Sequence, residues 1–177
     1  MATGALRFSW PGMRHTLEAS DVTRLPLAMS NPACLFCRIA RGEVPARFVH
    51  ETSDVVAFLD LHPIRRGHVL VVPREHFPYY DDLRPEVANE VMSVAQRLAP
   101  ALRTSFGVQR VGLFFTGVDI AHAHAHIVPM VEPTDITSRQ YIAEQTLTFR
   151  PAPLATTAEL EEAAELIRSA LAGVRQP

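Results

Sequence analysis

Short apolar segments, separated by polar turns or by turns rich in glycine and proline, occupy the middle of the chain. Apolar runs of about four to eight residues between such turns are typical of β-strands. The pattern predicts strands at residues 46–51, 55–61, 68–73 and 108–115. A shorter segment at 35–42, ended by Gly42 and Pro45, predicts one or two helical turns.

Two longer segments place apolar residues at helical spacing instead. Residues 85–106 begin with proline and predict the longest helix, because proline suits the first helical position. Its apolar stripe consists of Val87, Val91, Val94, Ala95, Leu98 and Leu102. Pro100 predicts a kink or an early end, since proline lacks the N–H that a helix interior uses. Residues 157–172 predict a C-terminal helix with an N-cap threonine and glutamates in its first turn. Its stripe consists of Leu160, Ala164, Ile167 and Leu171.

Residues 119–129 contain histidine at three alternating positions, His122, His124 and His126. Alternate side chains of a β-strand share one face, whereas a helix would turn the three imidazoles apart. The stretch therefore predicts a fifth strand with its histidines on one face. Together the elements predict an α+β fold, in which an antiparallel sheet of about five strands carries one long helix and a C-terminal helix.

The flanking regions carry weaker patterns. Residues 1–31 lack a sustained period and are expected to form an N-terminal extension, with the domain itself spanning residues 32–177. Residues 132–156 read as a loop with one helical turn near 138–143. No leader-like apolar core and no run long enough for a membrane span occurs, which favours a cytoplasmic location.

Charge and cysteine content narrow the class of protein. With 17 Lys and Arg against 19 Asp and Glu, the chain has a net charge of −2. This balance argues against nucleic acid or a membrane as partner. The only cysteines are Cys34 and Cys37. Their spacing suits a redox pair or half of a zinc site better than a secretory disulfide framework.

The three histidines allow three interpretations. Neutral imidazole is a common zinc ligand, so they could form a metal cage. One imidazole could instead act as a nucleophile while its neighbours orient it and handle protons. The third interpretation is a polar strand face without chemistry, which strict alternation makes improbable.

The sequence His122-Ala-His-Ala-His-Ile-Val128 resembles the signature of the histidine triad family, in which three histidines alternate with apolar residues. Two further segments resemble the same family in the right order. One begins at Cys34-Leu-Phe-Cys and includes Gly42-Glu-Val-Pro45; the other runs from Ala57 to Pro63 and continues from Gly67 to His76. The resemblance covers about residues 33–131, leaving 132–177 outside it.

The resemblance implies a nucleotide-binding hydrolase or transferase that cleaves at the α-phosphorus through a nucleotidyl-histidine. It implies His124 as the nucleophile, with His126 and His68 stabilising charge on the phosphate or assisting the leaving group. It places Asp60 on the ribose hydroxyls of a purine nucleotide. The apolar slot for the base would consist of Phe36, Ile39, Phe58 and Leu61. These four residues could equally be ordinary core.

The zinc-containing branch of the family implies a structural zinc ion and, as family members commonly do, a homodimer. Its four ligands would be Cys34, Cys37, His76 and His122. A closed four-ligand site leaves no position for water, so this zinc would not perform the chemistry.

The chain departs from the family pattern just before the triad. Family members usually carry Asn-x-Gly and then Gly-Gln-Ser or Gly-Gln-Thr, whereas this chain has Thr116 and, in the phosphate region, Asp119. A carboxylate there would repel phosphate unless it were protonated, hydrogen-bonded to an imidazole, or paired with Arg65 or Arg66. The departure favours, as an alternative, a zinc-stabilised nucleotide-binding protein with little turnover. A third hypothesis is a hydrolase with a metal ion on the triad itself.

Overall fold

The computed structural model describes residues 31–116, 119–132, 135–136 and 153–173. The elements, in chain order, are α1 (Leu35–Ala40), β1 (Phe48–Glu51), β2 (Val55–Leu59), β3 (Val69–Pro73), α2 (Pro85–Phe106), β4 (Arg110–Phe115), β5 (Ala125–Met130) and α3 (Thr157–Gly173). The helical turn predicted at residues 138–143 lies outside the described residues, as does nearly all of the predicted N-terminal extension.

The five strands form one antiparallel sheet with the order β1-β2-β3-β5-β4. The last strand in sequence therefore lies inside the sheet, between β3 and β4. This arrangement confirms the predicted α+β fold class. The first four strands are one or two residues shorter than the runs that predicted them, and each keeps one predicted end, at Glu51, Val55, Pro73 and Phe115.

The two faces of the sheet carry different layers. On one face, α2 and α3 pack against alternate residues of the strands, among them Ala57, Val71 and Ile127. On the other face, the short α1 packs against the intervening residues Val56, Leu70 and Val72. The helix layer supplies most of the core, and the α1 face is left to hold the histidines.

Helix α2 has the predicted bounds and continues through Pro100 to Phe106. The expected early end is therefore wrong. Pro100 lies on the exposed side of the helix, where water can satisfy the carbonyl that a proline leaves without its N–H partner. The helix ends at Gly107, whose φ of +63° is the left-handed conformation that glycine adopts readily.

Helix α3 presents its predicted stripe to the core and begins with a capping box. The Thr156 hydroxyl accepts from the backbone N–H of Glu159 at 3.2 Å, and the Glu159 carboxylate accepts from the N–H of Thr156 at 2.8 Å. In the part of the chain that the structure describes, no helix combines the length and hydrophobicity of a membrane span.

The histidine stretch is not a strand throughout, which corrects the sequence-based prediction. Strand β5 begins only at Ala125, so His122 and His124 precede it. The cause lies in the neighbouring strand, where the carbonyl of Pro73 accepts from Nε2 of His122 at 2.9 Å rather than from a backbone N–H. The backbone N–H of Ala123 donates instead to Phe77, in the loop after β3. The backbone turns away from the ladder, and each imidazole takes its own direction.

Gly67 precedes β3 with a φ of +88°, and a Cβ added there would overlap the ring of Phe106 at the end of α2. Gly67→Ala should therefore lower the free energy of unfolding by the cost of left-handed backbone, about 1–2 kcal/mol, plus about 1–3 kcal/mol of overpacking. Urea denaturation measures this loss. Gly107→Ala is the matched control, because its φ is also positive and nothing lies within 4 Å of the added Cβ. Equal losses in the two variants would contradict the packing of Phe106 on Gly67.

Candidate active site

One row of side chains crosses the α1 face of the sheet and sets the position of His126. Strand pairing aligns Phe58 with Leu70, Leu70 with His126, and His126 with Phe114. The ring of His126 stacks on Phe114, with centroids 4.8 Å apart and planes 5° from parallel. The register between neighbouring strands thus places this imidazole in a row of apolar side chains.

His126 lies in a chain of hydrogen bonds that crosses three elements. Its Nδ1 is 3.0 Å from Nε2 of His68, and its Nε2 is 2.9 Å from the hydroxyl of Thr116. Nδ1 of His68 accepts from the backbone N–H of Ile64 at 3.3 Å. The carboxylate of Asp60 is slightly farther from this nitrogen, at 3.5 Å. An Nδ1 that accepts from Ile64 leaves the proton of His68 on Nε2, and this tautomer gives the chain one direction. His68 donates through Nε2 to His126, and His126 donates through its own Nε2 to Thr116.

His124 is only 6% exposed and has a different arrangement. Its Nδ1 is 2.6 Å from the backbone carbonyl of His122, which can only accept, so Nδ1 carries the proton. Nε2 is then left with a free lone pair. The ring lies edge-on to Phe36, 5.0 Å between centroids, and 4.8 Å from the ring of His126. The geometry presents an oriented, unprotonated nitrogen beside the hydrogen-bonded histidines.

Burial keeps the two linked histidines neutral. Burial lowers the pKa of His68 to about 4, although the charge of Asp60 opposes this shift. Burial, together with the neighbouring His68 and His124, also lowers the pKa of His126 to about 4. At neutral pH both rings therefore present N–H groups of fixed direction rather than full positive charges.

Asp60 begins the loop that leads to His68. Its Oδ1 accepts from the N–H of His62 at 2.8 Å, and its Oδ2 is 3.5 Å from Nδ1 of His68. Backbone bonds hold the loop closed, from the N–H of Asp60 to the carbonyl of His68 and from the N–H of His68 to the carbonyl of Arg65, each at 3.0 Å. The structure thus brings Asp60 beside the predicted catalytic residues.

The predicted slot residues do not all lie together. Phe36, Ile39 and Phe58 pack in one buried cluster on the α1 face, with the rings of Phe36 and Phe58 5.8 Å apart. Leu61 is 53% exposed and lies in the loop after β2 instead. The assignment of these residues to base binding stays a prediction.

The two arginines of the loop have partners other than Asp119. The guanidinium of Arg65 donates to Asp135 at 2.6 and 2.9 Å, and that carboxylate, 3% exposed, also accepts from the N–H groups of Val131 and Glu132. Arg66 pairs with Glu162 of α3 at 2.6 Å. Asp119 itself is exposed. The suggested pairing of Asp119 with either arginine is therefore wrong, because both guanidinium groups are paired with other carboxylates.

A second group of side chains lies on the other side of His122. The ligand atoms of Cys34, Cys37, His76 and His122 all lie within 4.8 Å of one another. The Nδ1 atoms of the two histidines are 3.3 Å apart, and three sulfur–nitrogen distances measure 3.4, 3.4 and 3.5 Å. The four residues come from α1, from the loop after β3 and from the segment before β5.

These distances match the edges of a tetrahedron around zinc. Bonds of about 2.0–2.1 Å to nitrogen and about 2.3 Å to sulfur give edges of about 3.3 Å between nitrogens and about 3.5 Å between nitrogen and sulfur. Nε2 of His122 donates to the carbonyl of Pro73, which leaves Nδ1 as the ligand atom. Two thiols and two imidazoles so arranged could hold a metal ion.

Sequence reasoning did not include Thr116 among the site residues. The signal that could have found it is the departure from the family pattern, since a hydroxyl stands at the end of β4 where an amide is usual. Its contact with His126 follows from the register of β4 and β5, in which Phe115 is paired with Ala125. That register cannot be read from the local sequence.

Comparison with known proteins assigns the chain to the same family as its fold and its histidine site do. Residues 41–132, just over half of the chain, match the family model described as the HIT domain. The chain therefore belongs to the HIT family.

Several curated relatives share this region. An uncharacterized HIT-like protein of Methanocaldococcus jannaschii is 36% identical over 104 residues, covering 56% of this chain and 80% of its own length. The adenosine 5'-monophosphoramidase of Saccharomyces cerevisiae is 32% identical over 103 residues, covering 58% and 65%. The bifunctional adenosine 5'-phosphosulfate phosphorylase/adenylylsulfatase of Arabidopsis thaliana is 34% identical over 114 residues, covering 59% and 77%.

Solved structures resemble more of the chain. A HIT-like protein of Bartonella henselae has a TM-score of 0.66 and 27% identity, and covers 81% of this chain and 99% of its own. A zinc-bound histidine triad family protein of Mycobacterium smegmatis has a TM-score of 0.62 and 29% identity, and covers 80% and 94%. The fold of this chain is that of the family.

The buried pair His68 and His126 should titrate far below an ordinary histidine. We expect their imidazole NMR signals to titrate near pH 4 rather than near 6.5. Because the unfolded chain then binds more protons between these values, the free energy of unfolding should fall as the pH is lowered from about 6.5 to about 4. Replacing both residues by Gln should make this fall shallower. Signals that titrate near 6.5 would contradict the described burial.

Proposed function

We propose that the protein is a nucleotide hydrolase or transferase that cleaves at the α-phosphorus of a nucleoside phosphoanhydride or phosphoramidate, through a nucleotidyl-histidine intermediate. The observation that carries the proposal is the tautomer of His124. Its Nδ1 proton is held by the carbonyl of His122 at 2.6 Å, so the free lone pair lies on Nε2. An oriented imidazole nitrogen in a buried site is a suitable nucleophile toward phosphorus.

The names of relatives support this reaction class. One is an adenosine 5'-monophosphoramidase, and another combines adenosine 5'-phosphosulfate phosphorylase with adenylylsulfatase. Both names describe reactions of an adenylate whose phosphorus bears an exchangeable group. A purine nucleotide is therefore the substrate we propose for this chain, with the carboxylate of Asp60 bonding the ribose hydroxyls.

Catalysis follows in two displacements. In the first, Nε2 of His124 attacks phosphorus, a bond from nitrogen to phosphorus forms, and the bond to the leaving group breaks with its electron pair on the leaving atom. In the second, water or another acceptor attacks the same phosphorus and His124 leaves. As the family resemblance implies, the His68–His126 pair stabilises charge on the phosphate or assists the leaving group.

Zinc is the metal ion we propose for the group of Cys34, Cys37, His76 and His122, in a structural role. With an ion bound, these four side chains would cross-link the start of α1 and the loop after β3 to the segment before β5. All four positions of a tetrahedral ion would be taken by side chains, which leaves none for water. The zinc-bound relative from Mycobacterium smegmatis supports the choice of metal.

Two other functions remain as competitors. A zinc-stabilised nucleotide-binding protein without turnover is favoured by the missing Asn and Gln before the triad, and it would bind AMP without forming a covalent adduct. A hydrolase with a metal ion on the site is favoured by the proximity of Asp60, His68 and His126, whose ligand atoms lie within 4.8 Å.

A homodimer and a cytoplasmic location complete the proposal. The homodimer rests on the resemblance of this chain to the family, and the location rests on the sequence pattern.

His124→Ala should reduce turnover of an adenosine 5'-phosphoramidate at least about a thousandfold, because it removes the atom that attacks phosphorus. Steady-state release of AMP measures the loss. His50→Ala is the matched control, since His50 lies on the edge strand β1, away from the site, and should leave turnover unchanged. An active wild type that stays equally active in His124→Ala would contradict the mechanism. AMP binding without any turnover by the wild type would favour the binding protein.

Metal analysis separates the structural zinc from a metal ion on the catalytic histidines. The purified wild type should contain about one zinc ion per chain, Cys34→Ser should lose it, and His124→Ala should keep it. The thermal midpoint of Cys34→Ser should also fall, because the cross-link is lost. Zinc retained in Cys34→Ser, or lost in a His68→Ala variant, would overturn this assignment.

A further inference from the structure

The hydroxyl of Thr116 is the exposed end of the hydrogen-bond chain. Its oxygen accepts from Nε2 of His126 at 2.9 Å, at the point where β4 ends. Since the oxygen is the acceptor in that bond, the hydroxyl proton is left to be donated elsewhere. Among the residues that the structure describes, no second hydrogen-bond partner of this hydroxyl occurs. In this tautomer the Thr116 hydroxyl therefore has a proton that no described residue accepts.

The burial of the cluster indicates what this donor meets. His124 is 6% exposed and attacks from inside the protein, whereas Thr116 is exposed. In an in-line displacement the leaving group lies opposite the nucleophile. A buried nucleophile thus places the leaving group on the solvent side of the phosphorus. Thr116 is the member of the hydrogen-bonded chain on that side.

We propose that Thr116 is a catalytic residue that donates its hydroxyl proton to the leaving-group atom. The assignment rests on the proposed function and deepens it. Because His126 donates to the hydroxyl oxygen, the hydroxyl is polarised and becomes a stronger donor. At this end of the hydrogen-bond chain, the group that faces the substrate is thus the Thr116 hydroxyl and not the N–H of His126.

The protons balance when the His68–His126 pair enters the step with one extra proton. A bound phosphate favours this form, because its negative charge offsets the cost of a buried cation. Nε2 of His124 bonds to phosphorus while the leaving atom keeps the electron pair of the broken bond and takes the Thr116 proton. The extra proton lies on Nδ1 of His68, 3.5 Å from Oδ2 of Asp60. The Thr116 oxygen takes a proton from Nε2 of His126 while Nδ1 of His126 takes one from Nε2 of His68 at 3.0 Å, so that both rings end neutral. In the second displacement, the proton of the attacking water returns along the same path.

The test uses adenosine 5'-phosphoryl aryl esters that share the AMP half and differ only in the acidity of the phenol. Thr116→Val keeps the shape of the side chain and removes the hydroxyl. With the least acidic phenol, we expect kcat/KM to fall about a hundredfold or more, the size of a lost general acid. With p-nitrophenol, which leaves without a proton, the fall should stay within about threefold. For the ester of the least acidic phenol, Thr116→Ser should bring kcat/KM back to within about tenfold of the wild-type value.

Thr104→Val is the matched control, because it removes a hydroxyl from the exposed side of α2. Thr104→Val should leave kcat/KM unchanged for every ester and keep the thermal midpoint of the wild type. Thr116→Val should melt slightly lower, because Nε2–H of His126 loses its acceptor. If Thr116→Val lowered kcat/KM equally for all the aryl esters, Thr116 would only hold His126 in place, and the proposal would be overturned. No loss at all would overturn it as well. A wild type that turns over none of the esters would overturn the proposed function itself, a different result from an active wild type with uniform losses.

Discussion

His122 connects three parts of the molecule, and the arrangement of the site depends on it. Its Nδ1 faces the two cysteines and His76, its Nε2 donates to Pro73 at the end of β3, and its backbone carbonyl accepts from Nδ1 of His124. One residue thus joins the group of metal ligands, the edge of the central ladder and the nucleophile. The position of the metal group and the tautomer of His124 are constrained together.

This constraint explains why three identical residues differ in their chemistry. If the strand continued through all three, the imidazoles would share one environment. The ladder between β3 and β5 ends at the pair Val71 and Ala125, however, and a side chain takes the next carbonyl. His122 is then turned to the cysteines, His124 to a backbone carbonyl, and His126 to the histidine and hydroxyl beside it. Differences in hydrogen bonding, rather than in residue type, separate ligand, nucleophile and charge-stabilising group.

The parts of the fold that local sequence determines were predictable. Helix α2 has both of its bounds because Pro85 opens it and Gly107 closes it in the left-handed conformation. The strands followed from apolar runs, although the run through Leu61 predicted a longer β2, since the pattern does not show where a loop begins. The ligand set was implied by family resemblance, and the four residues do lie together in the structure.

The parts that depend on distant partners were not predictable. The pairing of Arg65 with Asp135 joins residues 70 positions apart, so local sequence does not identify the partner of this loop arginine. The contact of Thr116 with His126 depends on the register of β4 and β5. The turn of the backbone before Ala125 depends on a side-chain bond across the sheet. Alternation in sequence indicates a strand but does not show where its ladder stops.

The proposed reaction depends on transfer of the adenylyl group to Nε2 of His124. Mass spectrometric mapping of the protein, quenched in alkali during turnover of an adenosine 5'-phosphoramidate, tests it most directly, because a phosphorus–imidazole bond survives base. We expect an adenylyl group on the peptide containing residues 122–126, assigned by fragmentation to His124. An adenylyl group on another residue, or none during active turnover, would contradict it.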